Sequence, residues 1–123
     1  MTGAMIVSWG TSVRGREGKS LEVFGRALER FEGLAKSGRI HGHREYFALT
    51  GNATKRGGMM VVDGELSELS QLLIEPDMVR LLTEAAEICD NFDVQLFAGG
   101  SDQAVQEQVG MFMSVLQDEG YLQ

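Results

Sequence analysis

The chain of 123 residues has one cysteine, one proline and one tryptophan, and it lacks any long apolar run. Cys89 has no second cysteine as a partner, which excludes an internal disulfide and a zinc cluster built from cysteines. Apolar stretches such as residues 4–7 and 59–62 are far shorter than the roughly 20 residues of a membrane span. The first residues carry neither a basic region nor a small-residue cleavage site, so we expect no secretory signal. These absences predict a cytoplasmic protein that does not bind membranes.

Basic residues are also scarce, because 11 Lys and Arg stand against 18 Asp and Glu, which gives a formal net charge of −7. Such an acidic chain disfavours nucleic acid as a partner. The charge is uneven: residues 1–56 hold ten basic and five acidic residues, whereas residues 57–123 hold one basic and thirteen acidic residues. A surface that recruits another protein would explain this asymmetry. Two halves folded side by side, or two subunits, would neutralise each other equally well, and we favour this self-complementarity.

The hydrophobic pattern predicts a single domain, residues 1–123, of the α+β class. Apolar spacing and turn residues predict these elements: strand 4–9, helix 19–36, strand 40–49, strand 59–62, helices 66–74 and 76–89, strand 91–98 and a last helix 101–120. Pro76 separates the two middle helices because it lacks an N–H group. The order predicts a ferredoxin-like βαββαβ antiparallel sheet over residues 4–98 with an extra C-terminal helix.

Two features of this pattern predict a homodimer. The strands 4–9 and 59–62 are apolar on both sides, although helices would cover only one face of such a sheet. The apolar residues of the helix 101–120 spread over about 200°, which is wider than the stripe of a surface helix. We therefore expect a two-fold symmetric dimer in which two sheets meet face to face and helix 101–120 packs across the junction.

The run from Gly15 to Phe24 opens the first helix, and the segment 38–40 opens the second strand. Together with the element order, these segments resemble the dimeric α+β barrel superfamily. That superfamily includes antibiotic-biosynthesis-type monooxygenases and small uncharacterised stress-related proteins. The resemblance implies a small, often aromatic molecule bound between the sheet and the helices, with no metal or organic cofactor. Fold alone does not fix function, so these properties are expectations.

His41, His43 and Glu45 form the densest polar group of the sequence, and the two histidines are the candidate catalytic residues. The period of two in a strand would place them on one face with neighbours some 6–7 Å apart. An imidazole oriented by a carboxylate can act as a general base, and two imidazoles at this spacing can share a metal. Half-exposed polar residues without chemistry are the alternative. Haem is disfavoured, because haem-degrading relatives place their ligand histidine on a helix and this chain has no helical histidine.

Trp9 is the candidate aromatic wall of a substrate pocket, helped by Tyr46 and Phe97, with Glu45 and Gln95 as polar contacts. Packing of these side chains in the core is the alternative. The segment Gly18-Lys19-Ser20 lacks the spacing of a phosphate-binding loop. Arg14, Arg16 and Lys19 around the first helix N-terminus are either an anion-docking site or solvated loop charges.

Three functional hypotheses remain open from the sequence. The first is a homodimer that binds a small, partly apolar molecule, either between the sheet and the helices or inside the barrel. The second is a cofactor-independent monooxygenase or isomerase, in which Trp9 and Tyr46 hold an aromatic ring and His41 or His43 removes a proton. The third is a structural dimer that recruits a protein partner through its charge asymmetry.

Overall fold

A computed structural model describes residues 1–121 of the chain. The elements are β1 (Thr2–Trp9), α1 (Glu17–Lys36), β2 (Gly42–Phe47), β3 (Gly58–Glu65), α2 (Leu66–Leu73), α3 (Pro76–Ile88), β4 (Asp93–Ala98) and α4 (Asp102–Asp118). This order confirms the predicted α+β class, including the two middle helices and the extra C-terminal helix. Pro76 is the first residue of α3, where its missing N–H has no intrahelical partner to lose.

The four strands form one antiparallel sheet in the order β2-β3-β1-β4, which is the predicted ferredoxin-like arrangement. In the centre, β1 pairs with both neighbours, so that Met5 lies opposite Val62 of β3 and Leu96 of β4. Because side chains alternate along a strand, the register divides the sheet into two faces. We name the face that carries Met5 and Val62 the helix face, and the opposite face the open face.

The core lies between the helix face and the helices α1, α2 and α3. Its fully buried large side chains are Met5, Phe31, Val62, Leu69, Leu72, Met78 and Ile88. Leu21 is one of the apolar residues that recur at helical spacing in α1, yet its side chain is 74% exposed. On α3 the buried residues include Met78 and Leu81, whereas Val79 is exposed. Both helices carry apolar residues at neighbouring positions, so their spacing alone did not determine which side of each helix faces the core.

The open face and α4 keep much of their apolar surface in contact with solvent. Ile6 and Val61 of the open face are half-buried, and Phe97 is exposed. In α4, the Ser101 side chain caps the helix by accepting the Ala104 N–H at 3.2 Å. Ala104 is buried, whereas α4 exposes Val105, Val109, Met111, Phe112, Met113 and Val115. None of the helices within residues 1–121 is long and apolar enough to cross a membrane.

The positive first half and the negative second half of the chain pair with each other within the subunit. Arg26 hydrogen-bonds to Glu84, and Arg39 bridges Glu68 and Glu75 with N–O distances of 2.5 Å to each. These pairs are the self-neutralisation favoured from the sequence. Because these pairs account for the charge asymmetry, the asymmetry is a weaker reason to expect a recruited protein partner. That partner stays a prediction.

Candidate functional site

The sequence-predicted pocket residues divide between the two faces of the sheet. Trp9 lies opposite Gly58 on the helix face, and this face also carries Glu45. Tyr46 lies opposite Met59 on the open face. The open face also carries Gln95 and Phe97, which lie opposite Ile6 and Ala4. A single pocket with Trp9, Tyr46 and Phe97 in one wall is therefore wrong, because the sheet separates the first of these side chains from the other two.

His41 does not join His43 and Glu45 in one polar row. It precedes β2, where its backbone N–H donates to the Asp63 carbonyl at 2.7 Å. Its side chain is 54% exposed and its Nε2 lies 3.9 Å from Glu65 Oε1. The structure thus brings together His43 and Glu45 and leaves His41 at the surface beside a different carboxylate.

His43 forms a compact ionic cluster with two glutamates, which we name the His43 cluster (Glu32, His43 and Glu45). The Nδ1 atom hydrogen-bonds to Glu45 of the same strand, and Nε2 lies 2.6 Å from Glu32 Oε1 of α1. The His43 side chain is only 9% exposed, and its ring centroid lies 6.2 Å from that of Phe31. The cluster therefore fastens β2 to α1 at the border of the core.

The protonation of His43 follows from two opposing effects. Burial acts to lower its pKa, but the hydrogen bonds and charges of Glu32 and Glu45 outweigh this and raise the pKa above its ordinary value. With a carboxylate at each ring nitrogen, the imidazolium that donates from both is favoured. An imidazolium cannot accept a proton, so this geometry suits a structural cation better than a general base. Among residues 1–121, no three His, Cys, Asp or Glu side chains group in a way that could hold a metal ion.

A cavity of about 370 Å³ lies between the helix face and the helices α1 and α3, and we name it the helix-side cavity. Aromatic and aliphatic side chains line most of it, among them Trp9, Val23, Phe24, Phe31, Phe47 and Phe92. Leu21 and Phe47 also line it and are 74% and 61% exposed, which places them at its opening. Its volume falls in the range of ligand pockets, roughly 300–1,000 Å³, and its apolar walls fit an apolar molecule.

The aromatic rings of the helix-side cavity form a chain of edge and tilted contacts. The ring centroids of Trp9 and Phe24 are 5.9 Å apart, and those of Phe24 and Phe47 are 5.7 Å apart. Trp9 occupies the space above Gly58, where a Cβ atom would lie 2.7 Å from the indole ring. Of the pocket residues predicted from the sequence, Trp9 is the one that lines this cavity. Phe47 was missed, although it follows Glu45 by two residues and so shares its strand face.

Polar groups are few in the helix-side cavity and come from Ser12, Glu17, Ser20 and Cys89. The Ser20 hydroxyl donates to the Ile88 carbonyl at 3.4 Å. Burial raises the pKa of the Cys89 thiol above its usual value, so the thiol stays protonated at neutral pH. Glu17 accepts the Gly15 N–H at 3.3 Å and is exposed. The walls of the cavity are thus mostly apolar, with a few polar groups near the start of α1.

No family model and no curated protein matches the chain. Solved structures with the same fold include a dimeric ferredoxin-like protein of unknown function from Jannaschia sp., with 12% identity and a TM-score of 0.63 over 80% of this chain and 100% of that chain. A dimeric protein of unknown function with a ferredoxin-like fold from Bacteroides fragilis shares 14% identity, with a TM-score of 0.57 over 78% and 94% of the two chains.

A third structure with this fold is SnoaB, a cofactor-independent oxygenase from Streptomyces nogalater. It shares 13% identity with the chain, with a TM-score of 0.55 over 81% of this chain and 94% of that chain. These three likenesses agree with the fold implied by the superfamily resemblance. At such low identity they establish the fold alone.

Proposed function

We propose that this protein is a homodimer in which each subunit binds a small, largely apolar molecule in the helix-side cavity. The observation that carries the proposal is the cavity itself, about 370 Å³ in volume and walled by the rings of Trp9, Phe24 and Phe47. Burial of a flat apolar molecule against these rings supplies the binding free energy. The hydroxyl of Ser12 or Ser20 can receive one polar group of the ligand.

The dimer is supported by apolar surface that one subunit leaves exposed. The open face and α4 together present Phe97, Val109 and Phe112 to solvent. Monomers rarely expose contiguous apolar patches of this kind. Two of the structures with the same fold are of proteins described as dimeric. A cytoplasmic location stays a prediction that rests on the single cysteine.

The ligand proposal is tested by filling the helix-side cavity. Ala85 of α3 lines the cavity, whereas its neighbour Ala86 is exposed and does not. We expect 2-naphthol, as a flat neutral probe, to bind the wild-type protein in isothermal titration calorimetry. The substitution A85L should weaken this binding about tenfold or more, because the added methyl groups occupy the ligand space. The matched variant A86L should bind as the wild type does, and equal binding by both variants would refute the proposal.

A cofactor-independent oxygenase or isomerase that acts on a small aromatic substrate is the second candidate. Two observations favour it: the aromatic walls of the helix-side cavity and the fold shared with SnoaB, a cofactor-independent oxygenase. His43 and Tyr46 do not line this cavity. Glu17 does, so it is the carboxylate best placed to take a proton from a bound phenol or quinol.

Oxygen consumption with a panel of phenols and quinols tests this second candidate. We expect an active protein to lose most of its rate in the variant E17Q, which keeps the shape of the side chain but removes the base. H43Q should keep its rate, because Phe31 separates the His43 cluster from the cavity. A rate lost in H43Q together with an inflection above the ordinary histidine value of about pH 6.5 would instead assign the base to His43. Inertness toward the whole panel in an intact dimer would count against an enzyme.

A further inference from the structure

A second cleft, about 690 Å³ in volume, lies on the open face at the end of the sheet where β1 ends. We name it the open-face cleft. Its floor includes Ser8, Tyr46 and Met59, and its rim includes Lys55 and Arg56 from the loop between β2 and β3. Phe47 lines both this cleft and the helix-side cavity, but Tyr46 and Met59 point away from the helices, so the two sites lie on opposite faces of the sheet.

The loop that carries Lys55 and Arg56 is held in place by hydrogen bonds. Asn52 Oδ1 accepts the N–H groups of Thr54 at 3.1 Å and Lys55 at 3.3 Å. The Asn91 side-chain amide donates to the Thr54 carbonyl at 2.9 Å, which ties the loop to the start of β4. Asn91 itself adopts a left-handed backbone conformation with φ 54°. The two cations therefore extend from a braced loop, which lowers the entropy cost of binding an anion.

Close packing at a glycine also braces this loop. Gly10 follows β1 directly and packs against the Thr54 carbonyl so closely that a Cβ atom would overlap it. The Gly57 N–H donates to the Trp9 carbonyl at 2.6 Å. The middle and the last residue of the loop are thus fixed to the end of β1, beside the floor of the open-face cleft.

The cations of this cleft lack acidic partners within the described part of the chain. In residues 1–121, ion pairs engage arginines such as Arg26, Arg39 and Arg44, but none engages Lys55 or Arg56. Asp93 is the acidic residue among those that line the cleft. The cleft therefore carries a local positive charge on a chain whose formal net charge is −7. Two neighbouring cations without a partner on a braced loop are suited to a carboxylate or phosphate.

We propose that the open-face cleft binds a small organic anion, with its carboxylate or phosphate on Lys55 and Arg56 and its flat apolar part on Tyr46 and Met59. The planar guanidinium group of Arg56 can hold two oxygens of the anion, while Lys55 adds a second charge. Tyr46 is 49% exposed and offers both a ring face and a hydroxyl group. The site goes beyond the proposed function, since it needs neither the helix-side cavity nor a ligand in it. It shares the open face with the proposed dimer contact, so it requires that the second subunit leaves the loop end of this face uncovered.

The proposal is tested with 4-hydroxybenzoate and its neutral analogue 4-hydroxybenzamide, titrated into the intact protein at low salt. We expect the carboxylate to bind at least ten times more tightly than the amide, and to shift the backbone amide signals of residues 52–57 in NMR spectra. The double variant K55Q/R56Q should lose this preference. The control R14Q/R16Q removes the same charge from a loop that does not line the cleft, and it should keep the preference.

Several outcomes would overturn the anion site. Equal affinity for the carboxylate and the amide, no binding of either, or unchanged binding by K55Q/R56Q would each refute it. An equal loss of the preference for the carboxylate in R14Q/R16Q would show a general effect of net charge and would also refute the site. Inorganic phosphate that binds as tightly as 4-hydroxybenzoate would refute the role of Tyr46 and Met59.

Dissociation of a dimer in K55Q/R56Q without anion binding would assign the cleft to a second copy of the chain. Binding of 2-naphthol by K55Q/R56Q reports the helix-side cavity separately, so the two proposals fail independently.

Discussion

At the scale of single residues, His43 shows how two carboxylates can outweigh burial. Its ring lies against Phe31, yet Glu32 and Glu45 occupy both nitrogens and raise its pKa. The positively charged imidazole of His43 links β2, the strand at the edge of the sheet, to α1. The strength of this link depends on pH. His43 was predicted from the sequence as a candidate general base, whereas the geometry of its cluster favours a structural cation.

A stability measurement tests this cation. Because the folded-state pKa of His43 is raised, its stabilisation is fully present below the unfolded-state value of about 6.5 and is lost as pH rises through the folded-state pKa. We expect H43Q to lower the free energy of unfolding by about 1–2 kcal/mol at pH 6 and by clearly less at pH 9. Urea unfolding of the wild type and the variant at both pH values measures the difference.

His41 supplies the matched control for that series. Its side chain is more than half exposed, and it lies 3.9 Å from Glu65. H41Q should change the unfolding free energy by less than about 0.5 kcal/mol at pH 6. A difference between the wild type and H43Q that stays constant from pH 6 to pH 9 would contradict an imidazolium at His43.

Gly58 determines the position of the Trp9 ring. A Cβ atom at this position would lie 2.7 Å from Trp9 Cζ2, so G58A must displace the indole. We expect a loss of about 1–3 kcal/mol in unfolding free energy and a shift in the tryptophan emission, which has a single source in this chain. The control G42A meets no atom within 4 Å and should leave both unchanged. An unshifted emission spectrum in a folded G58A variant would contradict the packing described here.

At the scale of elements, the connection of α4 to the body depends on its first turn. The Ser101 hydroxyl accepts the Ala104 N–H and also lies 2.9 Å from the Thr2 hydroxyl of β1. We expect S101A to destabilise this turn by about 1 kcal/mol, which corresponds to roughly fivefold faster amide exchange in residues 104–106. Hydrogen exchange followed by NMR measures this rate.

Ser114 provides the comparison within the same helix. It is an exposed residue of α4, well past the first turn. S114A should leave exchange near Ser101 unchanged. If S101A exchanges no faster than S114A, the capping contact does not hold α4 to the sheet.

Local signals made the elements predictable, whereas the faces of the helices needed the tertiary structure. Short apolar runs and Pro76 located the strands and the break between α2 and α3, because these signals act within a few residues. The rotation of α1 was not determined in this way, since Leu21 and Val23 are both apolar and only Val23 is buried.

The candidate site was predictable only in part for a similar reason. Alternation along β2 places Tyr46 and Glu45 on opposite faces, although both were predicted to line one pocket. Which of these faces meets the helices depends on the pairing with β3, where Glu45 lies opposite the buried Met60. Glu32 joins His43 from another element, and no spacing in the sequence indicates that contact.

At the scale of the whole molecule, the open face and α4 leave an apolar surface that a second subunit can cover. Phe112 of α4 is 63% exposed, and Ser114 lies two residues further on, near the opposite side of the helix. We expect F112D to raise the dimer dissociation constant about tenfold or more, because a carboxylate replaces a buried ring in the interface. Sedimentation velocity over a range of protein concentrations measures this constant.

The variant S114D introduces the same charge on the polar side of α4. It should leave the dissociation constant within about threefold of the wild-type value, as expected for a residue outside the apolar stripe. An identical effect of F112D and S114D, or a wild-type protein that sediments as a monomer at every concentration, would contradict the proposed role of α4.

The most direct test of the account is native mass spectrometry of the intact protein with added 2-naphthol, compared with the same measurement on A85L. We predict a wild-type species of twice the subunit mass that carries up to two naphthol molecules, and an A85L dimer that carries none. A wild-type monomer would contradict the dimer, and equal naphthol adducts on the wild type and A85L would contradict the helix-side cavity as the binding site.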